Sequence, residues 1–265
     1  MTLEDRTRLL ELLDFERRTV VYPGSTRSTE TGVIRDISTD GKSCEIVYSS
    51  CSEKEVDKQI ANQIQCAKIH GYDLEWKVYG HDQPACLGER LSAAGFEAGD
   101  RESFMVFSAN EEKLALFGDS DCDIRRVNGR KDLADSQLIM QETTGKSCEK
   151  QVAEFAWTLE RHPESMSLYI AYCEGEPATF GRVIFHEESK FAALYGGQTR
   201  VKFRKRGLYL QMVAVRIREA LNRGVEYVCI DALPTSQPIL SKRGFESVTY
   251  TQPFAFSPTA DSKVV

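Results

Sequence analysis

Apolar residues along the chain fall by turns into helical and strand spacing. Residues 3–17 set Leu3, Leu9, Leu10, Leu12, Leu13 and Phe15 among charges, the pattern of an amphipathic helix. Residues 18–22, 32–37 and 44–48 are rich in β-formers and are parted by Pro23-Gly24 and Asp40-Gly41, so short strands are expected there. Ser52 and Glu55 stand at capping-box spacing and open a helix with Val56, Ile60, Ile64 and Ala67 on one face, which Gly71 ends. A strand over 74–79, a turn through Gln83-Pro84, a short helix with Leu87, Leu91 and Ala94, an exit at Gly95-Phe96-Glu97 and a strand over 103–107 follow. The polar, acidic residues near 108–121 read as a boundary, giving domains 1–118 and 119–265.

Past that boundary, a strand over 122–127 and helices at about 131–142 and 147–161 lead to strands over 167–173, 178–185 and 190–197. Their connections, Glu174-Gly175-Glu176-Pro177 and Glu187-Glu188-Ser189, are too short for crossovers, so an antiparallel meander is expected. Gly196-Gly197 marks a bend or bulge in its last strand. Further on, Leu210, Val213, Ile217, Ala220 and Leu221 form one stripe that Leu208, Met212 and Val215 widen, as in a largely buried helix. Gly224 stops it, and a strand over 225–231, a turn and short helix over 234–242, an exit at Gly244-Phe245-Glu246 and a last strand over 248–256 remain, with a frayed tail from Ser257.

Between the meander and the buried helix lies the basic segment 199–209, where Arg204, Lys205 and Arg206 precede Gly207. A helix N-terminus offers unpaired amides and the positive end of the helix dipole, and a glycine there lets a bulky anion approach. The segment therefore reads as a phosphate cradle; the plainer reading of the same residues is a solvated basic cap.

The two halves repeat an order of landmarks. Gly71, Gln83-Pro84, Gly95-Phe96-Glu97 and the strand 104–107 in the first correspond to Gly224, Gln237-Pro238, Gly244-Phe245-Glu246 and 254–256 in the second, as a tandem duplication would leave them. Where the second half has its basic turn, the first has residues 49–55, acidic and without glycine. Only the second half is expected to hold phosphate, and the first reads as a degenerate copy that shapes a cleft or supports the active half.

Composition narrows this picture. Forty acidic against 34 basic residues give a net charge of −6 and a pI near 5.4, so neither nucleic acid nor an anionic membrane is an expected partner, and a cationic acceptor suits the chain better. Eight cysteines form no C-x-x-C pair and have no histidine at ligand spacing, so no metal site is expected. The N-terminus lacks an apolar signal core and no run approaches the ~20 apolar residues of a membrane span, which leads us to expect reduced thiols and a cytoplasmic protein.

The sequence Arg204-Lys205-Arg206-Gly207-Leu208-Tyr209 after a strand, with Pro234 to Phe245 following the next strand, resembles the GNAT superfamily of N-acetyltransferases over about 122–256. Arg204 and Gly207 match the first and fourth positions of the family's Arg/Gln-x-x-Gly-x-Gly/Ala signature, and Tyr209 departs from the last. The resemblance implies an α/β (α+β) fold of two GNAT-like halves, each a mixed, mostly antiparallel sheet flanked by helices, with acyl-CoA between splayed strands of the C-terminal half. It implies that Arg204, Lys205, Arg206, Gly207, Leu208 and Tyr209 hold the pyrophosphate of acetyl-CoA, and that the backbone of Gln198, Thr199, Arg200 and Val201 pairs with the pantetheine arm. The tyrosine that protonates the departing thiolate in many members is Leu240 here, which leaves Ser236 or a tyrosine such as Tyr195 for that role. The first half resembles a worn version of the same tail, as in tandem members.

The implied activity is direct attack of a substrate amine on the acetyl thioester, with a small-molecule amine or a peptide amino terminus as acceptor. The alternatives are a non-catalytic acyl-CoA sensor, which Leu240 motivates, and a transferase of longer acyl or aminoacyl groups. For Tyr195 core packing is the plainer reading, and for Ser236 helix capping. Cys173 and Cys229 lie in apolar strands and read as small hydrophobes. An exposed aromatic edge in the first half could pair copies of the chain.

Overall fold

A computed structural model describes residues 1–118 and 122–258, the side chains of Arg130 and Lys131 excepted. The tail beyond residue 258 and residues 119–121 of the acidic stretch lie outside the described residues. Helix α1 (Leu3–Thr19) is opened by Thr2, whose side chain exchanges bonds with Asp5. It is followed by β1 (Ser25–Glu30), β2 (Val33–Ser38), β3 (Ser43–Ser49), α2 (Val56–His70), β4 (Asp73–Tyr79), α3 (Leu87–Ala93), β5 (Glu97–Ala98), β6 (Glu102–Ser108) and α4 (Glu111–Leu114). Then come β7 (Asp123–Arg126), α5 (Arg130–Thr144), α6 (Glu149–Arg161), β8 (Met166–Cys173), β9 (Glu176–Ile184), β10 (Phe191–Thr199), α7 (Leu208–Asn222), β11 (Tyr227–Ala232), α8 (Gln237–Ser241) and β12 (Glu246–Phe256). No helix among the described residues is long and apolar enough to cross a membrane.

The chain divides into two units that are not contiguous stretches. One holds Met1–Phe104, Ala232–Gln237 and the chain from Ser247; the other holds Met105–Asp231 and Pro238–Glu246. This differs from the division at residue 118 that the acidic stretch suggests. Its described part is packed: Leu114 and Phe117 are buried, and the carbonyls of Leu116 and Phe117 accept from Arg243 and Gln211. The last strand also moves. It does not close the second unit but runs antiparallel to β4, from Thr251 opposite Tyr79 to Phe256 opposite Leu74. Phe254, opposite Trp76, is thereby buried in the first unit's core with Ile46, Ile60, Leu74 and Phe96.

In the first unit the strand order is β1-β2-β3-β4-β12, antiparallel except for β3 with β4. Helix α1 runs through Thr19, so no strand occupies 18–22, and the edge strand β1 forms on the polar residues Ser25–Glu30 instead. An edge strand needs a partner on one side only and no apolar alternation. Here the bidentate Arg27–Asp36 pair, at 2.7 and 2.8 Å between residues in register, supplies cross-strand cohesion.

The second unit has the order β11-β10-β9-β8-β7, an antiparallel meander apart from the parallel β10–β11 pair. Successive residues of β9 face opposite sides. Phe180 stacks on Phe155 of α6, in a core with Ile139, Met140, Leu168 and Ile170, whereas Gly181 faces Met212 and Arg216 of α7. Helices α5 and α6 thus cover one face and α7 the other. Met212, Val213 and Ile217 are fully buried, and burying a side chain of this size stabilises by roughly 1.5–3 kcal/mol.

The duplication is visible in backbone bonds. Phe96 N donates to Leu91 O at 3.1 Å after the left-handed Gly95, and Phe245 N donates to Leu240 O at 3.2 Å after the left-handed Gly244. Leu91 and Leu240 are counterparts, each with 0% of its surface exposed.

Candidate functional site

Strands β10 and β11 pair from Phe191↔Tyr227 to Leu194↔Ile230 and then part, although β10 continues to Thr199. Beyond Leu194, β10 keeps its ladder to β9 alone, with a bulge between Gly196 and Gln198. Gly196 and Gly197 both have positive φ, +79° and +75°, which side-chain-bearing residues seldom adopt. A Cβ at Gly197 would also lie 2.9 Å from the Tyr209 ring. One edge of 195–199 is therefore turned from its parallel neighbour toward the start of α7.

That helix begins without a side-chain cap. Gly207 is its N-cap residue, left-handed at φ +80°, with nothing within 4 Å of where a Cβ would stand. The amides of the first turn have no intrahelical acceptor. Lys205 is left-handed as well, at φ +64°. Arg204 donates from Nε to Thr199 O at 3.1 Å, tying the turn to the end of β10, and neither Arg204 nor Lys205 has a carboxylate partner among the described residues. Arg206 is engaged: Nη1 donates to Glu174 Oε1 at 2.6 Å and to Cys173 Sγ at 3.2 Å, and these partners raise its pKa. Cys173 thus serves as an acceptor at the foot of the turn.

The other expected residues divide. Gln198 accepts at Oε1 from Thr143 Oγ1 at 3.0 Å, and the hydroxyls of Thr199 and Thr179 meet at 3.0 Å. Arg200 is buried and fully used: its amide donates to Ala178 O, its guanidinium forms a bidentate pair with Glu142 at 2.7 and 2.8 Å, and Nη1 donates to Pro177 O. It fixes the loop. Val201 opens a single 3-10 turn and is 69% exposed. Leu208 is buried with Phe203 and Ala178, and the Tyr209 ring covers the bulge at Gly197. Tyr195 is 39% exposed, so its side chain is not core. Ser236 belongs to the first unit and donates to Leu233 O at 3.2 Å.

Two arginines at the bulge were not singled out from sequence. Arg216 of α7 is 1% exposed and donates to three carbonyls: Met212 O at 2.8 Å, Arg182 O at 2.9 Å and Tyr195 O at 3.1 Å. Its Nη2 is buried without a partner, and burial pulls its pKa down to about 10. Arg182 of β9, opposite Tyr195, sits on the other face. Its guanidinium lies 4.7 Å from the Phe155 ring centre and 5.0 Å from that of Tyr195, and its Nε is buried without a partner. Burial lowers its pKa, and the Tyr195 and Glu154 charges only partly offset this. The signal in the sequence was an arginine on an otherwise apolar face in each case.

The first unit repeats the parting strands but fills the gap. Strands β3 and β4 pair from Ser43↔Asp73 to Ile46↔Trp76. Just beyond, Arg17 Nε donates to Val47 O at 2.9 Å, its guanidinium lies over the Tyr79 ring at 3.9 Å, and Asp82 takes two bonds from it. Trp76 Nε1 bridges to Ser49 Oγ at 3.2 Å. At the start of α2 the carboxylate of Glu55 accepts from Ser52 N and Oγ, and the helix begins only at Val56, so the expected capping box forms in one direction only. Asp14, His81 and Asp82 come within metal-ligand distance of one another, but Arg17 already pairs with both carboxylates.

No protein-family model and no curated protein matches the sequence. Solved structures do match in shape. A functionally unknown conserved protein from Staphylococcus epidermidis superposes with a TM-score of 0.66 at 15% identity, over 89% of this chain and 96% of its own. A GCN5-related N-acetyltransferase from Kribbella flavida gives 0.65 at 11% identity, over 97% of each chain. A tandem GNAT protein from the clavulanic acid biosynthesis pathway gives 0.61 at 11% identity, over 96% of this chain and 95% of its own. The chain has the tandem GNAT fold.

Proposed function

We propose, from that fold, that the second unit binds an acyl-CoA, in the first place acetyl-CoA, and transfers the acetyl group to an amine by direct attack. The observation that carries this reading is the conjunction of a strand edge freed past Leu194 with an uncapped helix N-terminus at Gly207, in one unit. The first-turn amides of α7 receive the pyrophosphate, and Arg204 and Lys205 supply unpaired positive charge beside it. Arg206 acts on the turn, through Glu174, and Arg200 on the loop. The pantetheine arm runs along the free edge of 195–199, which sets the thioester at the bulge. No acyl-enzyme is required: the site orients the amine and stabilises the tetrahedral oxyanion.

The first unit is a degenerate copy. Arg17 fills the gap between its parting strands and Glu55 supplies a carboxylate at the helix start where a phosphate would sit. Acyl-CoA binding by the second unit alone follows.

Leu240, fully buried like its counterpart Leu91, belongs to the core and is no proton donor. That favours a second reading, an acyl-CoA sensor without turnover, unless Tyr195 or Ser236 delivers the proton. Calorimetric titration with acetyl-CoA, followed by a free-thiol assay over a panel of amines, separates the readings. No binding removes both. Binding without turnover, unaffected by changes at Tyr195 and Ser236, leaves the sensor. Longer acyl-CoAs in the same titration fix the acyl chain, since a ligand that binds only the native state also raises the melting temperature.

A further inference from the structure

A cation held largely out of water without an ion-pair partner is expensive, and natural proteins rarely keep one without use. Arg182 is half-buried, and the charge of Glu154 offsets its desolvation only in part. It projects from the middle of β9, one strand from the bulge, on the face covered by α5 and α6. The described residues give its side chain no hydrogen bond and no ion pair, its Nε is shut from water, and its guanidinium lies over the faces of Phe155 and Tyr195. Arg216, which is fully buried, lies on the opposite face and donates from Nε and Nη1 to backbone carbonyls, including that of Arg182. The two are therefore not a matched pair for one ligand. Of the two, Arg182 is the one placed to answer a group brought in on the α5/α6 face.

Two aromatic rings hold the guanidinium plane, which keeps its fork of donors directed and reduces what is lost when an anion docks. A planar carboxylate matches that fork with two parallel bonds. We infer that Arg182 is the anchor for a carboxylate on the acceptor, so that the acceptor class is a small amino carboxylate, with Tyr195 and Phe155 as the walls that hold its body. The inference rests on the acetyltransferase reading and narrows its acceptor. It also reverses the expectation from net charge, because the local field at Arg182 favours an anionic end whatever the sign of the whole surface.

The test uses matched pairs of amines, free amino acids and ω-amino acids each against its carboxamide, in a thiol-release assay with acetyl-CoA. The carboxylate member should be preferred in kcat/KM by roughly tenfold or more, the scale of a charged hydrogen-bonded pair. Arg182→Gln should bring the ratio to near one while leaving the carboxamide rate and acetyl-CoA affinity unchanged. Arg182→Lys should keep part of the preference. Equal rates for both members in the unaltered protein, or an equal fall for both in Arg182→Gln, would overturn the inference and leave the acetyltransferase reading standing. If acetyl-CoA binds and no amine is turned over, that reading fails, and the anion site is then decided by melting the CoA-bound protein with the same pairs. A stabilisation by the carboxylates alone that Arg182→Gln removes supports the site; its absence overturns it.

Discussion

Arg17 and Asp82 meet in a bidentate pair, 2.7 and 2.9 Å long, in the gap where β3 and β4 part. Both side chains are buried. The pair holds Val47 O on one strand and Tyr79 N on the other, through Arg17 Nε and Asp82 Oδ2, so it staples strands that have ceased to bond to each other. Removing Asp82 leaves Arg17 buried with Asp14 as its remaining carboxylate, so the cost lies toward the lower end of the about 3–5 kcal/mol of a broken buried pair. Asp82→Ala is therefore expected to destabilise the first unit by about that amount. Urea unfolding followed by the buried Trp76, in a Trp157→Phe background, measures it. Acetyl-CoA affinity, which we assign to the second unit, should not change.

The same cluster predicts a pH dependence. Burial raises the pKa of Asp14, but the hydrogen bond from His81 and the charge of Arg17 outweigh it, so the carboxyl is held below its ordinary value. A depressed folded pKa contributes stability that is present above the unfolded value, about 3.9, and is lost as pH falls through the folded one. Asp14→Asn should remove part of the acid sensitivity: its stability difference from the unaltered protein should be largest near neutral pH and vanish at the acid end, as read from denaturation midpoints across pH.

Arg216 ties the carbonyls of Arg182 and Tyr195 from below the bulge. Arg216→Met keeps most of the volume and removes a desolvated charge, so stability should fall little or even rise. The carbonyls lose their donor and the bulge relaxes. KM for acetyl-CoA should rise roughly tenfold, about the loss of one charged hydrogen bond. An unchanged KM would show that the bulge geometry does not depend on this arginine.

Tyr195 and Ser236 are the candidates for the proton that the leaving thiolate takes. Ser236 has a weak backbone bond as a sufficient structural role, at 3.2 Å, whereas Tyr195 is partly exposed at the proposed thioester position. Tyr195→Phe is expected to lower kcat roughly a hundredfold, the usual scale of general acid catalysis, with acetyl-CoA affinity unchanged; Ser236→Ala should stay within about twofold. Steady-state kinetics distinguishes the two.

Most of the fold was legible in the sequence because its signals are local. Helix α7 and its stop at Gly224, the meander, the Gly196-Gly197 bulge and the two Gly-Phe exits all follow from spacing and glycine. The edge strand β1 was not, because Ser25–Glu30 carries no apolar alternation and forms by pairing with β2. Nor was the place of β12: a strand's pattern says that it pairs but not with what, and Phe254 fits the core beside Trp76. At the site, the turn at Gly207 was readable as a motif. The roles within it were not, since Arg200 and Arg206 differ from Arg204 and Lys205 only in having Glu142 and Glu174 within reach. Arg182 and Arg216 were hidden for a related reason, as one arginine on an apolar face reads as a surface residue until the strand and helix that bury it are placed.

The central claim is that the turn at Gly207 receives the pyrophosphate of an acyl-CoA, and calorimetric titration of acetyl-CoA into the unaltered protein and Gly207→Val tests it most directly. A Cβ meets open space there, but φ is +80°, so the substitution costs about 1–2 kcal/mol of backbone strain without a clash and the protein should stay folded. The account predicts binding by the unaltered protein and none measurable by Gly207→Val, whose circular dichroism is unchanged; equal affinity for both would contradict it.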